Sequence, residues 1–419
     1  MDEAHVTASG PAPPATRGAA LQRLDGFVPL AGARYAARRN FDAGPGRHDN
    51  VSGLSPWIRR RLITEAEVLR AVVAAHPPEA AEKFLREVLW RSYWKGWLAL
   101  RPAVWQQYAE ALERLQSEAA KDGPLRRRLE AAESGATGID GFDAWARELR
   151  ETGYLHNHAR MWFASIWIFT LRLPWQLGAD FFFRHLLDGD PASNTLSWRW
   201  VAGLHTRGKH YLARAANIRR YTGGRHEPSR QLDEDAAPLA WSEPPAPRTP
   251  EFRREPGEPG RGGRTGLLIL GDDCRGEASP AGQQEIAAVA AGWSRRLQAR
   301  WRLAEPVAAF GRDALADGLA RAAGHAGTPA PALDEEHWTE SVVDWARTAG
   351  VSRVVALKPA VGPWQDAANR AEAALAEVGI SLAWSTRAWD RDLWPRATRG
   401  FFAFRKAARP VLANLHRYD

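Results

Sequence analysis

The sequence predicts a mainly α-helical protein in two parts: an all-helical domain over residues 21–230, then a small α/β domain with a parallel sheet over residues 265–419. Three observations carry this. From about Leu54 to Tyr221, apolar residues recur at helical spacing. The stretch 231–264 is rich in Pro, Glu, Arg and Gly and poor in large apolar side chains, so it reads as a linker. Beyond it, short apolar runs alternate with helical stretches, the pattern of parallel strands joined by crossovers. A chain of 419 residues suits two or three domains.

The elements follow in order. Residues 1–20, rich in Ala, Pro and Gly and without periodicity, are expected to be disordered. Helices are predicted over 64–75, 78–100, 103–120, 142–151, 156–171 and 175–187. Thr64 and Glu67 fit a capping box. Val88, Leu89, Tyr93, Trp97 and Leu100 share one helical face. In the second part, Gly266–Gly271, Val351–Leu357 and Ile380–Ser385 read as strands, with Pro306–Phe310 a weaker fourth. Helices are expected over 283–299, 338–349 and 363–378. The α/β part reads as Rossmann-like.

Composition excludes several chemistries. Cys274 is the only cysteine, so neither an intramolecular disulfide nor a four-thiolate iron–sulfur cluster is possible within the chain. The twelve histidines show no metal spacing; His156 and His158, two apart on a helix, point in different directions. No apolar run spans a bilayer and the N-terminus has no apolar signal segment, so a cytoplasmic monomer without membrane contact is expected. The net charge of +8 is uneven. Residues 31–230 hold 31 Lys+Arg against 21 Asp+Glu, and the remainder 26 against 28. A basic surplus in one domain suits a phosphate-rich partner, or simple solubility. Twenty tryptophans suit packing, a buried aromatic ligand or an electron path.

Three segments carry the chemistry: Val51-Ser-Gly-Leu-Ser-Pro-Trp57, Phe84-Leu-Arg-Glu-Val-Leu-Trp-Arg91, and a long run from Gly153-Tyr-Leu-His-Asn-His-Ala-Arg-Met161 through Asp188-Gly-Asp-Pro-Ala-Ser-Asn194 to Trp198-Arg-Trp200. In order and spacing they resemble the flavin-binding domain of the photolyase/cryptochrome family, most closely the cyclobutane-pyrimidine-dimer photolyases. The resemblance implies bound FAD. Val51, Ser52, Gly53, Leu54 and Ser55 would hold its diphosphate by backbone groups and hydroxyls, with Tyr35 against it; simple N-capping is the plainer reading of the serines. Phe84, Arg91 and Asn157 would also touch the cofactor. Arg160 and Asp188 resemble the ion pair beside the isoalloxazine ring, or form a purely structural pair. Asp190 shares their loop, and Asn194 takes the position facing flavin N5, an amide that leans toward photolyase chemistry.

The resemblance assigns Glu87, Trp90, Asn157, Met161 and Trp200 to the pocket for a flipped dimer, with flat walls from the tryptophans and polar contacts from Glu87 and Asn157. The expected partner is DNA containing pyrimidine dimers. A cryptochrome-like receptor that no longer repairs DNA would keep the same residues. Trp198 and Trp175 match the first two members of the family's electron chain, with Trp105 a candidate third. The basic run after Trp200 offers Arg207, Lys209, Arg214, Arg219, Arg220 and Arg225 to phosphates, or presents a solvated face. This run is shorter than usual for the family, which leans toward single-stranded substrates. The usual N-terminal antenna domain is missing, while 376–406 resembles the end of one, implying a permuted domain order. The first strand lacks the signature Trp-Phe-Arg-Arg-Asp-Leu-Arg, so the antenna pigment is left unassigned.

Overall fold

The computed structural model describes residues 12–249 and 263–418. The helical part comprises α1 Arg17–Phe27, α2 Ala33–Arg38, α3 Ser55–Arg59, α4 Glu65–Ala75, α5 Pro78–Ala99 and α6 Pro102–Lys121. It continues with α7 Gly123–Ser134, α8 Phe142–Thr152, α9 Asn157–Ser165, α10 Trp175–His185, α11 Pro191–Val201 and α12 Ala215–Tyr221. The capping box at the start of α4 is complete: the Thr64 hydroxyl accepts from the Glu67 N–H, and the Glu67 carboxylate accepts from the Thr64 N–H. Proline near the first position starts α5, α6, α7 and α11, where its missing N–H costs nothing. Helix α9 runs into a π turn, Ile166–Thr170. Trp145, Trp162, Trp167 and Trp198 lie fully buried in this part.

The second part contains β1 Thr265–Ile269, β2 Ala288–Ala291, α13 Arg295–Arg300, α14 Glu305–Ala326, α15 Trp338–Thr348 and β3 Arg353–Leu357. It ends with α16 Pro363–Glu377, β4 Ser381–Ser385, α17 Ala388–Leu393, α18 Phe401–Ala407 and α19 Arg409–Leu412. The sheet is parallel throughout, in the order β2-β1-β3-β4. Gly266 stands opposite both Ala288 and Val354.

Three expectations need correction. Helix α1 begins at Arg17, inside the segment read as disordered; residues 1–11 lie outside the described residues. Pro306–Phe310 is the first turn of α14, not a strand, because Pro306 sits near the helix start, where its fixed φ suits a helix. The fourth strand is instead Ala288–Ala291, within the stretch 283–299 read as a helix. Alanine favours helices in isolation, but here pairing with β1 and burial of all four residues override that preference. The expected linker has no regular structure up to residue 249; residues 250–262 lie outside the described residues.

The two parts are joined by consecutive arginines at the end of α3. Arg59 donates to Asp272 at 2.8 Å, Arg60 to the carbonyl of Gly271 at 3.0 Å, and Arg61 to both oxygens of Asp390 at 2.6 Å. Arg387 grips Asp273 at 2.7 and 2.8 Å, and Arg61 adds a third contact at 3.3 Å. All of these side chains are buried. Arg61 adopts φ +51, a conformation that costs a non-glycine residue energy and is maintained by these contacts. The cluster fills the crevice at the carboxyl ends of the strands, where open α/β sheets receive ligands. About 20 Å³ remains there, room for a single water.

Candidate active site

The loop before α3 is tied down from α1. Arg23 Nε donates to the Ser52 carbonyl at 2.7 Å and its Nη2 to that of Val51 at 3.3 Å. Gly53 has φ +64, and a Cβ there would lie 3.4 Å from the Arg23 guanidinium. Leu54, not a serine, is the N-cap of α3, so simple capping does not account for Ser52 and Ser55. The Ser52 hydroxyl accepts from the Leu54 N–H at 3.4 Å. Tyr35 on α2 is buried edge-on against Phe27 and Phe84, with centroids at 5.9 and 5.3 Å. Burial and the charge of Glu87 push its hydroxyl well above the usual range.

Arg160 and Asp188 meet at 3.0 Å as expected. The Arg160 guanidinium also lies 5.4 Å from the ring centre of Tyr154. Burial raises the Tyr154 hydroxyl to about 12, against the opposing pull of Arg160. Asp190 caps α11, accepting from the Ser193 N–H at 2.8 Å. Burial alone would raise its carboxyl, but Arg91, Lys95 and Arg59 hold it well below the usual carboxylate range. Arg91 pairs with Glu65 at 3.0 Å and with Asp190 at 3.5 Å. Asn194 Nδ2 donates to the Ala179 carbonyl at 2.7 Å, which fixes the amide orientation.

Among the residues assigned to a dimer, Glu87 is held by an ion pair with Arg39. Trp90, one turn further along α5, lies flat on Phe401 with ring centroids 3.6 Å apart and planes 8° from parallel. One face of this expected pocket wall is therefore covered by the C-terminal part of the chain. Asn157 opens α9 and is exposed; Met161, one turn on, is half-buried. Trp200 on α11 is half-buried and stacks on Tyr211 at 5.9 Å. Tyr211 lines an open cavity of about 390 Å³ with His210, Leu212, Arg214 and Asn217.

Trp198 is buried against Trp167 at 6.2 Å and Phe182 at 5.1 Å. The fit requires Gly178 on α10: a Cβ there would fall 2.4 Å from the Trp198 ring. Trp175 lies one turn before Gly178, with the guanidinium of Arg199 at 5.9 Å from its ring centre. Trp105 does not meet Trp175 directly in sequence-evident fashion but through Tyr108, with centroid distances of 5.3 and 5.6 Å. Trp105 in turn stacks on Trp301 of the α/β part at 5.0 Å.

The basic run is exposed at Arg207, Lys209, Arg214, Arg219, Arg220 and Arg225, but not all of it is equally available for phosphates. Arg225 is tied to Asp42 at 3.1 Å and Arg219 to Glu227 at 3.3 Å. Among the described residues, no group of three or more His, Cys, Asp or Glu side chains suits a metal, and no helix is long and apolar enough to cross a membrane.

Residues 84–230 match the FAD binding domain of DNA photolyase. This stretch of the chain is thus similar to the flavin domain of the photolyases. It is 32% identical over 223 residues to a deoxyribodipyrimidine photo-lyase of Streptomyces griseus, a match covering 47% of each chain. It is 34% identical over 196 residues to that of Synechococcus sp., covering 44% of this chain and 38% of the relative. Among solved structures it resembles a bacterial class III photolyase from Agrobacterium tumefaciens, at 28% identity and a TM-score of 0.41, over 50% of this chain and 43% of that one. The chain thus spans under half the length of the curated relatives it matches. The donor set fits a flavin dinucleotide. The Arg160–Asp188 pair is available for a polar ring edge, and the buried Ser193 hydroxyl has no hydrogen-bond partner among the described residues. Sequence reasoning does not reach Arg39, Arg23, Tyr154 and Tyr108. Tyr154 alone lies within a recognisable motif; Arg39 and Arg23 meet Glu87 and Ser52 from far along the chain.

Proposed function

We propose that this protein uses light to split cyclobutane pyrimidine dimers in DNA. The observation that carries this reading is the placement of Glu87 and Trp90 on α5 and Trp200 on α11, helices packed against each other in a domain matching photolyases. Reduced FAD, when bound and excited by blue light, supplies the electron that opens the cyclobutane ring and receives it back. Asn194, Arg160 and Asp188 orient and electrostatically balance the ring; the 51–55 loop holds the diphosphate. Arg39 positions Glu87 for a hydrogen-bonding role at the dimer. Trp200 and Asn157 take the flipped bases, and the exposed Arg207, Lys209, Arg214 and Arg220 contact phosphates. The short basic end of the helical domain favours single strands, whose bases are already unstacked. The α/β part is read as an antenna-like module in permuted order.

A receptor without repair gains support from one observation, the cover that Phe401 places on Trp90. A lesion assay separates the two readings. Dimer-bearing oligonucleotides, single- and double-stranded, are incubated with the fully reduced flavoprotein in light and dark. Dimer loss in light alone supports repair; no loss on any oligonucleotide overturns it in favour of the receptor.

Trp198 is assigned to deliver electrons during photoreduction, followed by Trp175 and then, through Tyr108, Trp105. Trp198→Phe preserves the aromatic packing against Phe182 and should retain flavin while slowing light-driven reduction at least tenfold. Photoreduction at the original rate, with the same external donor, would contradict this path.

A further inference from the structure

Phe402 is the most exposed large apolar side chain among the described residues, at 74%. Its neighbour Phe401 is buried on Trp90, and Arg405 of the same short helix pairs with Glu82 of α5 at 2.9 Å. These contacts fix α18 beside the expected pocket wall and leave Phe402 pointing away from the core. The surrounding segment is strongly basic. From Trp394 to Tyr418 it carries Arg396, Arg399, Arg405, Lys406, Arg409 and Arg417, with no Asp or Glu. Arg399, Lys406, Arg409 and Arg417 are exposed. An exposed aromatic ring among exposed cations is the combination that binds single-stranded nucleic acid, by stacking on a base and tracking the phosphates.

We infer that the segment Arg399–Arg409 is a nucleic-acid docking surface in which Phe402 stacks on an unpaired base beside the Trp90 wall and Arg399, Lys406 and Arg409 hold the adjacent phosphates. Its position relative to a lesion rests on the proposed repair function; its affinity for a strand does not. The C-terminal part of the chain would then supply DNA contacts alongside the helical domain.

Fluorescence anisotropy of the full chain tests this, using labelled single-stranded oligonucleotides with and without one thymine dimer over a range of salt. Phe402→Ala should bind both about tenfold more weakly, within the span expected for losing one base–aromatic stack. Combined Arg399→Gln, Lys406→Gln and Arg409→Gln should reduce the slope of log affinity against log salt by about 2. Because these four side chains are exposed, far-ultraviolet circular dichroism and melting temperature should match the unsubstituted protein. Unchanged affinity and salt slope in the folded variants would overturn the surface. If the variants weaken binding but the unsubstituted protein shows no preference for the dimer and no repair in light, the surface stands and the repair reading fails. If the unsubstituted protein prefers and repairs the dimer while the variants bind equally well, the repair reading stands and the surface fails.

Discussion

Glu87→Ala should retain flavin and its absorption spectrum while repairing dimers about tenfold to a hundredfold more slowly. Glu87 is tied to Arg39, in a position assigned to the substrate. Its removal takes away a charge-assisted hydrogen bond, typically worth about 1.5–3 kcal/mol, at the site where charge develops on the dimer. Arg39→Leu separates positioning from direct contact. It leaves the carboxylate present but unheld, so it should lower repair yield less than Glu87→Ala and leave dimer affinity nearly intact. Equal repair rates for Glu87→Ala and the unsubstituted protein would remove Glu87 from the site.

The second large effect concerns the joint between the two parts. Asp273→Asn should destabilise the protein by about 3–5 kcal/mol, because it leaves the buried guanidinium groups of Arg387 and Arg61 undercompensated. Thermal unfolding should shift downward by roughly 3–6 °C. Burial alone would raise the Asp273 carboxyl, yet Arg387, by charge and hydrogen bonds, and then Arg61 hold it at about 2, below its ordinary 3.8. The native state therefore favours the ionised form more than the unfolded chain does. This contribution is fully present above about pH 4 and is lost as pH falls through 2. Acid unfolding curves of the two proteins should converge toward pH 2. A melting temperature within 2 °C of the unsubstituted protein at pH 7 would show that the joint contributes little to stability.

The legible parts of the sequence were those governed by local rules. The capping box at Thr64 and the helical face of Val88, Leu89, Tyr93 and Trp97 depend on neighbours three or four residues apart. Strands β1, β3 and β4 announce themselves as short apolar runs. Strand β2 does not: Ala288-Val-Ala-Ala has a helical composition, and only its pairing with β1 makes it a strand. The Arg160–Asp188 pair was legible through a family motif. The Arg39–Glu87 pair spans 48 residues and the Arg61–Asp390 pair 329, with no local pattern to reveal either. The same is true of Phe401 on Trp90, where a residue of the second part covers a wall assigned to the first.

The account depends most on the helical domain holding a flavin dinucleotide. Denaturing the purified protein and identifying the released chromophore by chromatography and mass tests this directly. About one FAD per chain is the expected result. Flavin mononucleotide, or no flavin from protein that is folded and expressed with flavin available, would contradict the assignment of the 51–55 loop, Arg160, Asp188 and Asn194.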